Sequence, residues 1–153
     1  MTDVNFQSAG VKQGARFAED CLLVLEHNGG LETVSPLRIP ELGIEIDCHA
    51  YNDTTSVYIE FKGSVQGRQP GLIRTDTTKK AIVNGALLLG YVDIPYIIFT
   101  SHLPLPGSSS DHMLRRGLKL GYVTDVVCVN DPADLRRFFK NISHGSPEDG
   151  TLF

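Results

Sequence analysis

Two carboxylates and a lysine carry the chemistry on offer in this sequence. They lie between Gly43 and Ser64, GIEIDCHAYNDTTSVYIEFKGS, which reads as two strands joined by a tight turn. Ile44 and Ile46 alternate with Glu45 and Asp47, so one face is apolar and the other acidic, as a period of two requires. Asn52-Asp53-Thr54-Thr55 supplies the turn. In the second strand Val57, Ile59 and Phe61 share one face, and Tyr58, Glu60 and Lys62 the other. With the polar faces on one side, Asp47 meets Glu60, and Lys62 lies one residue pair away. Two carboxylates beside a lysine are costly to desolvate unless something compensates, and a divalent cation is the obvious candidate. The same pattern also fits the solvated outer face of an antiparallel sheet.

Asp47 followed by Glu60-Phe61-Lys62 resembles the motif of the PD-(D/E)xK nucleases, the restriction-endonuclease-like superfamily. Its core is a helix, a strand hairpin carrying Asp and then Glu-x-Lys, a second helix and a further strand. The resemblance runs in that order from Gly10 to Val129, with Ile46 rather than proline before Asp47. It implies an α/β fold with a central mixed β-sheet flanked by helices. The activity it implies is a metal-dependent DNA endonuclease that hydrolyses phosphodiester bonds, with Mg²⁺ or Mn²⁺ as cofactor. Asp47, Glu60 and the main-chain carbonyl of Phe61 would bind the metal, assisted by a glutamate of the first helix. Gly14-Ala15-Arg16-Phe17-Ala18-Glu19 resembles that segment, which favours Glu19 over Glu26. Hard carboxylate oxygens suit these ions. The metal would polarise the phosphate and acidify a bound water. Lys62 would orient that water or stabilise the phosphorane.

The elements that must position these groups follow from periodicity. Apolar residues at Val11, Ala15, Ala18, Leu22 and Leu25 predict a helix ending at Asn28-Gly29-Gly30, with Glu19 and Glu26 on one edge. A first strand is expected over Leu31–Ile39, where Pro36 suggests an edge or a break. Val65–Arg74 reads as a loop; its Arg68 and Arg74 either track a phosphate backbone or belong to a plain connector. A helix over Thr77–Leu89 carries Lys79, Lys80 and Asn84, which the resemblance puts near the scissile phosphate and which a solvated face also explains. Gly85 within it predicts close packing against the sheet or a partner. Pro95–Thr100 is a buried strand, and a helix capped by Ser110 or Asp111 runs to Leu120. Tyr122–Val129 is a further strand. A last helix begins at Asp131-Pro132, with Leu135, Phe138 and Phe139 inward and Arg136, Arg137 and Lys140 outward.

The 153 residues read as one nuclease-like domain with flexible ends at 1–9 and 143–153. Composition is that of an ordinary globular chain, 41% hydrophobic and 21% charged. The net charge of −4 hides a division: residues 1–61 hold three Lys/Arg against ten Asp/Glu, and residues 62–140 hold eleven against six. The acidic part contains the candidate ligands, and the basic part suits phosphates. Cys21, Cys48 and Cys128 read as reduced core thiols, and no CxxC pair suggests structural zinc. No apolar run reaches membrane-spanning length and no signal-peptide pattern is present, so a cytoplasmic protein without membrane contact is expected. DNA is the expected partner, with a homodimer as one possible assembly. Two alternatives stay open: a structure-specific nuclease of the Holliday-junction-resolvase type, and a non-catalytic nucleic-acid-binding subunit that keeps the fold.

Overall fold

A computed structural model describes residues 14–63 and 70–143. Helix α1 (Gly14–Leu23) runs into a π-helical turn, Val24–Asn28. Strands β1 (Glu32–Val34), β2 (Leu37–Ile39), β3 (Ile44–Ile46), β4 (Cys48–Tyr51) and β5 (Ser56–Lys62) follow. Helix α2 (Thr75–Leu88), β6 (Tyr96–Thr100), α3 (Ser109–Lys119), β7 (Asp125–Cys128) and α4 (Pro132–Ser143) complete the order. The expected flexible ends, apart from Ser143, lie outside the described residues, as does Arg68.

The central sheet has five strands in the order β1-β4-β5-β6-β7. β4 pairs antiparallel with β1 and β5, whereas β5, β6 and β7 are parallel. Helices cover both faces. Phe17, Cys21, Val24 and Leu25 from the first helical segment, with Leu135 and Phe138 from α4, pack on Val57, Ile59, Phe61, Ile97 and Phe99. Ala81 and Leu88 of α2 and Leu114 of α3 pack on Tyr58, Tyr96, Ile98 and Val126. The fold is α/β with a mixed central sheet flanked by helices, as expected from the sequence. Among the described residues no helix is long and apolar enough to cross a membrane.

Several local expectations are corrected. Ile44–Ile46 is not the first arm of the central hairpin: β3 pairs with β2 in a separate two-stranded ribbon, and the chain bends at Asp47 before β4 joins β5. The single strand expected over Leu31–Ile39 is two strands broken at Ser35-Pro36, because a proline has no N–H to keep a ladder running. The buried stripe of α1 is centred on Phe17 and Cys21, with Ala18 and Leu22 at its margin. Ser108, not Ser110 or Asp111, caps α3, its hydroxyl accepting from Asp111 N–H. Gly85 packs against the loop before β7 and the Tyr96 ring of β6. A Cβ there would collide with the carbonyl of Tyr122 and come within 2.8 Å of the Tyr96 ring, so α2 packs inward at this glycine. Arg137 does not extend outward either; it forks onto the buried Asp125 carboxylate at 2.8 and 3.1 Å and braces Asp134.

Candidate active site

The register that pairs Cys48 with Ile59 sets Asp47 opposite Glu60, one step past the end of the ladder. There the side chains take over from the backbone pairing. Asp47 N–H donates to Glu60 Oε1 at 3.0 Å, and Phe61 N–H donates to Asp47 Oδ2 at 2.8 Å. Each strand thus holds the other's carboxylate. Phe61 directs its carbonyl from the same strand edge as its N–H, toward Asp47. Glu60 is 2% exposed, on the sheet face covered by α2 and α3. That face of β5 was open to a solvated reading in the sequence; the parallel crossovers bury it.

Glu60 Oε2 has two further partners. Asn84 Nδ2 donates to it from α2 at 3.1 Å, and Lys62 Nζ lies 3.6 Å away with its side chain 21% exposed. Thr100, the register partner of Lys62 on β6, donates its hydroxyl to the Lys62 carbonyl at 2.8 Å and fixes the end of β5.

Burial sets the electrostatics. It pushes Glu60 up from 4.5 to about 7; the charge of Asp47 adds to the rise, and Lys62, Asp47 N–H and Asn84 oppose it. Asp47 is raised as well, first by burial, with the Phe61 N–H as the largest opposing influence and a hydrogen bond from Glu60 also lowering it. Burial thus raises both members of the pair, and the proton they retain belongs to the pair. Cys48, immediately after Asp47, is pushed up to about 12 by burial and then by Asp47, so it stays a thiol.

These donors fit a hard divalent cation. Two carboxyl groups that burial sets against ionisation, and whose retained proton a cation would displace, meet beside a main-chain carbonyl. Mg²⁺ commonly takes one or two protein carboxylates and completes its shell with water. No cluster of three His, Cys, Asp or Glu with metal-holding geometry occurs among the described residues. Asp47, Glu60 and the Phe61 carbonyl are the groups that would hold such an ion.

The other expected site residues are not drawn into this group. Glu19 is exposed, two residues from Phe17 and so about 200° around α1 from that buried ring. Glu26 is exposed and accepts from Thr33 Oγ1 at 2.8 Å. Arg74 is exposed just before α2, and Lys79 and Lys80 are exposed in its first half. Only Asn84 of that set reaches the carboxylates.

Asp20 was missed in the sequence. It is 7% exposed, its Oδ2 has no hydrogen-bond partner, and burial raises its pKa against the pull of Arg16. A stripe centred on Phe17, Cys21 and Val24 would have pointed to it, since residue 20 lies about 60° from Phe17 around the helix and residue 19 about 160°. No protein-family model matches the chain, and neither do the curated proteins or the solved structures compared with it.

Proposed function

We propose that the chain is a metal-dependent DNA endonuclease built on a restriction-endonuclease-like core, hydrolysing phosphodiester bonds with Mg²⁺ or Mn²⁺. The observation that carries this reading is the pair Asp47 and Glu60, locked across two strands with Lys62 3.6 Å from the buried carboxylate. Two adjoining buried carboxylates are costly to keep ionised without a compensating charge. Beside a lysine that reaches solvent, they have the composition of a phosphoryl-transfer centre.

The roles divide by atom. Asp47, Glu60 and the Phe61 carbonyl would hold the ion, which would supply charge to the phosphate and lower the pKa of a water. Asn84 keeps Glu60 Oε2 turned toward Lys62. Lys62 Nζ orients the attacking water and offsets the charge gathering on the phosphoryl oxygens. A proton held by the Asp47–Glu60 pair would be displaced by such an ion.

DNA is supported by the layout of charge. β5, β6 and β7 are parallel, so their C-terminal ends share the edge where Lys62 sits. α2 begins near that edge and carries the exposed Arg74, Lys79 and Lys80 in or just before its first half, while the exposed Arg116 and Lys119 follow in the last turn of α3. Basic side chains around such a centre meet a polyanion. Three free thiols suit a reducing compartment, and we assign the chain to the cytoplasm. Cutting two strands takes two centres or two encounters, so a two-fold homodimer is the assembly we expect.

The test is incubation of the purified protein with supercoiled, linear and branched DNA in Mg²⁺, Mn²⁺ or EDTA. Metal-dependent cleavage is expected. Binding without cleavage of any form would replace this reading with a non-catalytic DNA-binding subunit.

A further inference from the structure

Leu103 and Leu105 are 38% and 58% exposed on the loop that joins β6 to α3. A single exposed leucine is ordinary. Two on one rigid loop beside a candidate catalytic edge are not, and this loop is fastened at both ends. At its start, His102 N–H donates to Thr100 Oγ1 at 3.2 Å, and that hydroxyl donates to the Lys62 carbonyl at 2.8 Å. Leu72 N–H donates to His102 O at 3.0 Å. Pro104, between the two leucines, is buried.

At its end, Leu105-Pro106-Gly107-Ser108 closes as a turn. Ser108 N–H donates to Leu105 O at 3.0 Å with Gly107 at φ 78°. Proline second and glycine third at positive φ is the type II arrangement. Gly107 N–H is held by Asp111 Oδ2 at 2.9 Å, and Arg115 Nε braces that carboxylate at 3.0 Å. The leucines are thus presented outward by backbone whose ordering cost was met on folding.

The helix that follows the loop carries basic residues on its exposed face. His112, Arg116 and Lys119 fall at i, i+4 and i+7 on α3 and are all exposed, whereas Asp111, the helix's one acid, is buried against Gly107 and Arg115. An apolar loop leading into a helix whose exposed face carries Arg116 and Lys119 matches DNA, whose phosphates take the charge while its base steps accept an apolar wedge.

We propose that Leu105, supported by Leu103, is a wedge that enters a base step beside the phosphate attacked at Lys62. The substrate class is DNA whose stacking is already weakened at a branch, bulge or mismatch, where opening a step is cheapest. This rests on the nuclease reading for the position of the phosphate.

The test uses the full chain and branched DNA with 2-aminopurine at the branch point, in Ca²⁺ so that binding is read apart from hydrolysis. Wild-type protein is expected to raise the fluorescence as the base unstacks. Leu105→Ala should abolish the rise while holding affinity within about threefold, since phosphate contacts dominate binding. Leu105→Met should retain the rise. In Mg²⁺, Leu105→Ala should cut the stacked junction roughly tenfold more slowly, yet match wild type when an abasic gap already opens the step. No rise with wild type, or an equal rise with Leu105→Ala, overturns the wedge. Loss of self-association in Leu105→Ala with the rise unchanged overturns it in favour of a protein contact. A Leu105-dependent rise without metal-dependent cleavage removes the nuclease reading and leaves the wedge; cleavage without the rise does the reverse.

Discussion

Asp47 N–H donates to Glu60 Oε1 at 3.0 Å from the position directly opposite it across two antiparallel strands. One carboxylate is therefore oriented by the backbone of the residue whose own carboxylate repels it. Their separation is set by sheet geometry, not by side-chain rotamers, which is the kind of support an ion site needs.

That coupling makes the site sensitive to pH. Glu60 binds its proton more tightly in the folded chain, near pH 7, than in the unfolded chain, near 4.5. Its contribution to stability is full below about pH 4.5 and is lost as pH rises toward 7. The unfolding temperature of metal-free protein should fall across that window, and saturating Mg²⁺ should reverse the fall. Calorimetry in buffers of different ionisation enthalpy should find close to one proton released on Mn²⁺ binding at pH 6 and almost none above pH 8. Glu60→Gln should flatten the stability profile and abolish Mn²⁺ binding.

Lys62→Met keeps the aliphatic stem and removes the ammonium. Cleavage should fall by about two to four orders of magnitude, the scale of a positioned acid–base or electrostatic group. Mn²⁺ binding should persist, because an ammonium donates and does not ligate. Asp47→Asn should weaken binding and cleavage together. A Lys62→Met variant that cuts like wild type would remove this residue from the chemistry.

Asn84→Ala takes away the 3.1 Å hydrogen bond to Glu60 Oε2. A hydrogen bond to a charged group contributes about 1.5–3 kcal/mol, so cleavage should drop roughly tenfold or more. Because that bond favours the ionised carboxylate, the acid limb of the pH–rate profile should move to higher pH. A drop without the displacement would mean that Asn84 serves DNA contact instead.

Gly85→Ala improves intrinsic helix propensity by about 1 kcal/mol. The added methyl meets the Tyr122 carbonyl and the Tyr96 ring, and overpacking of this kind costs about 1–3 kcal/mol. Thermal unfolding should show a net loss of stability without a change in the oligomeric state seen by light scattering. A stabilised variant would contradict the inward packing of α2.

Period-two alternation alone separates Glu60 and Lys62 from Val57, Ile59 and Phe61, because successive residues of any strand face opposite ways. An antiparallel return through Asn52–Thr55 is then enough to set Asp47 against Glu60. The mixed α/β architecture is legible too, in strands alternating with helical stripes of the right length. What local pattern does not encode is what each face meets. The polar side of β5 reads as solvated until the crossovers lay α2 and α3 over it, and that burial is what raises Glu60. β3 reads as continuous with β4 because its ladder partner, β2, becomes visible only when strands pair. Glu19 and Asp20 are neighbours with opposite fates, decided by which arc of α1 packs on the sheet. Asn84 reads as a phosphate contact or a solvated residue and Arg137 as an outward one, yet each turns back onto a buried carboxylate supplied by a distant strand. Residue type and spacing were enough to find the charges; only the packing of separate elements could decide which of them are dry, and a charge acts strongly where water is excluded.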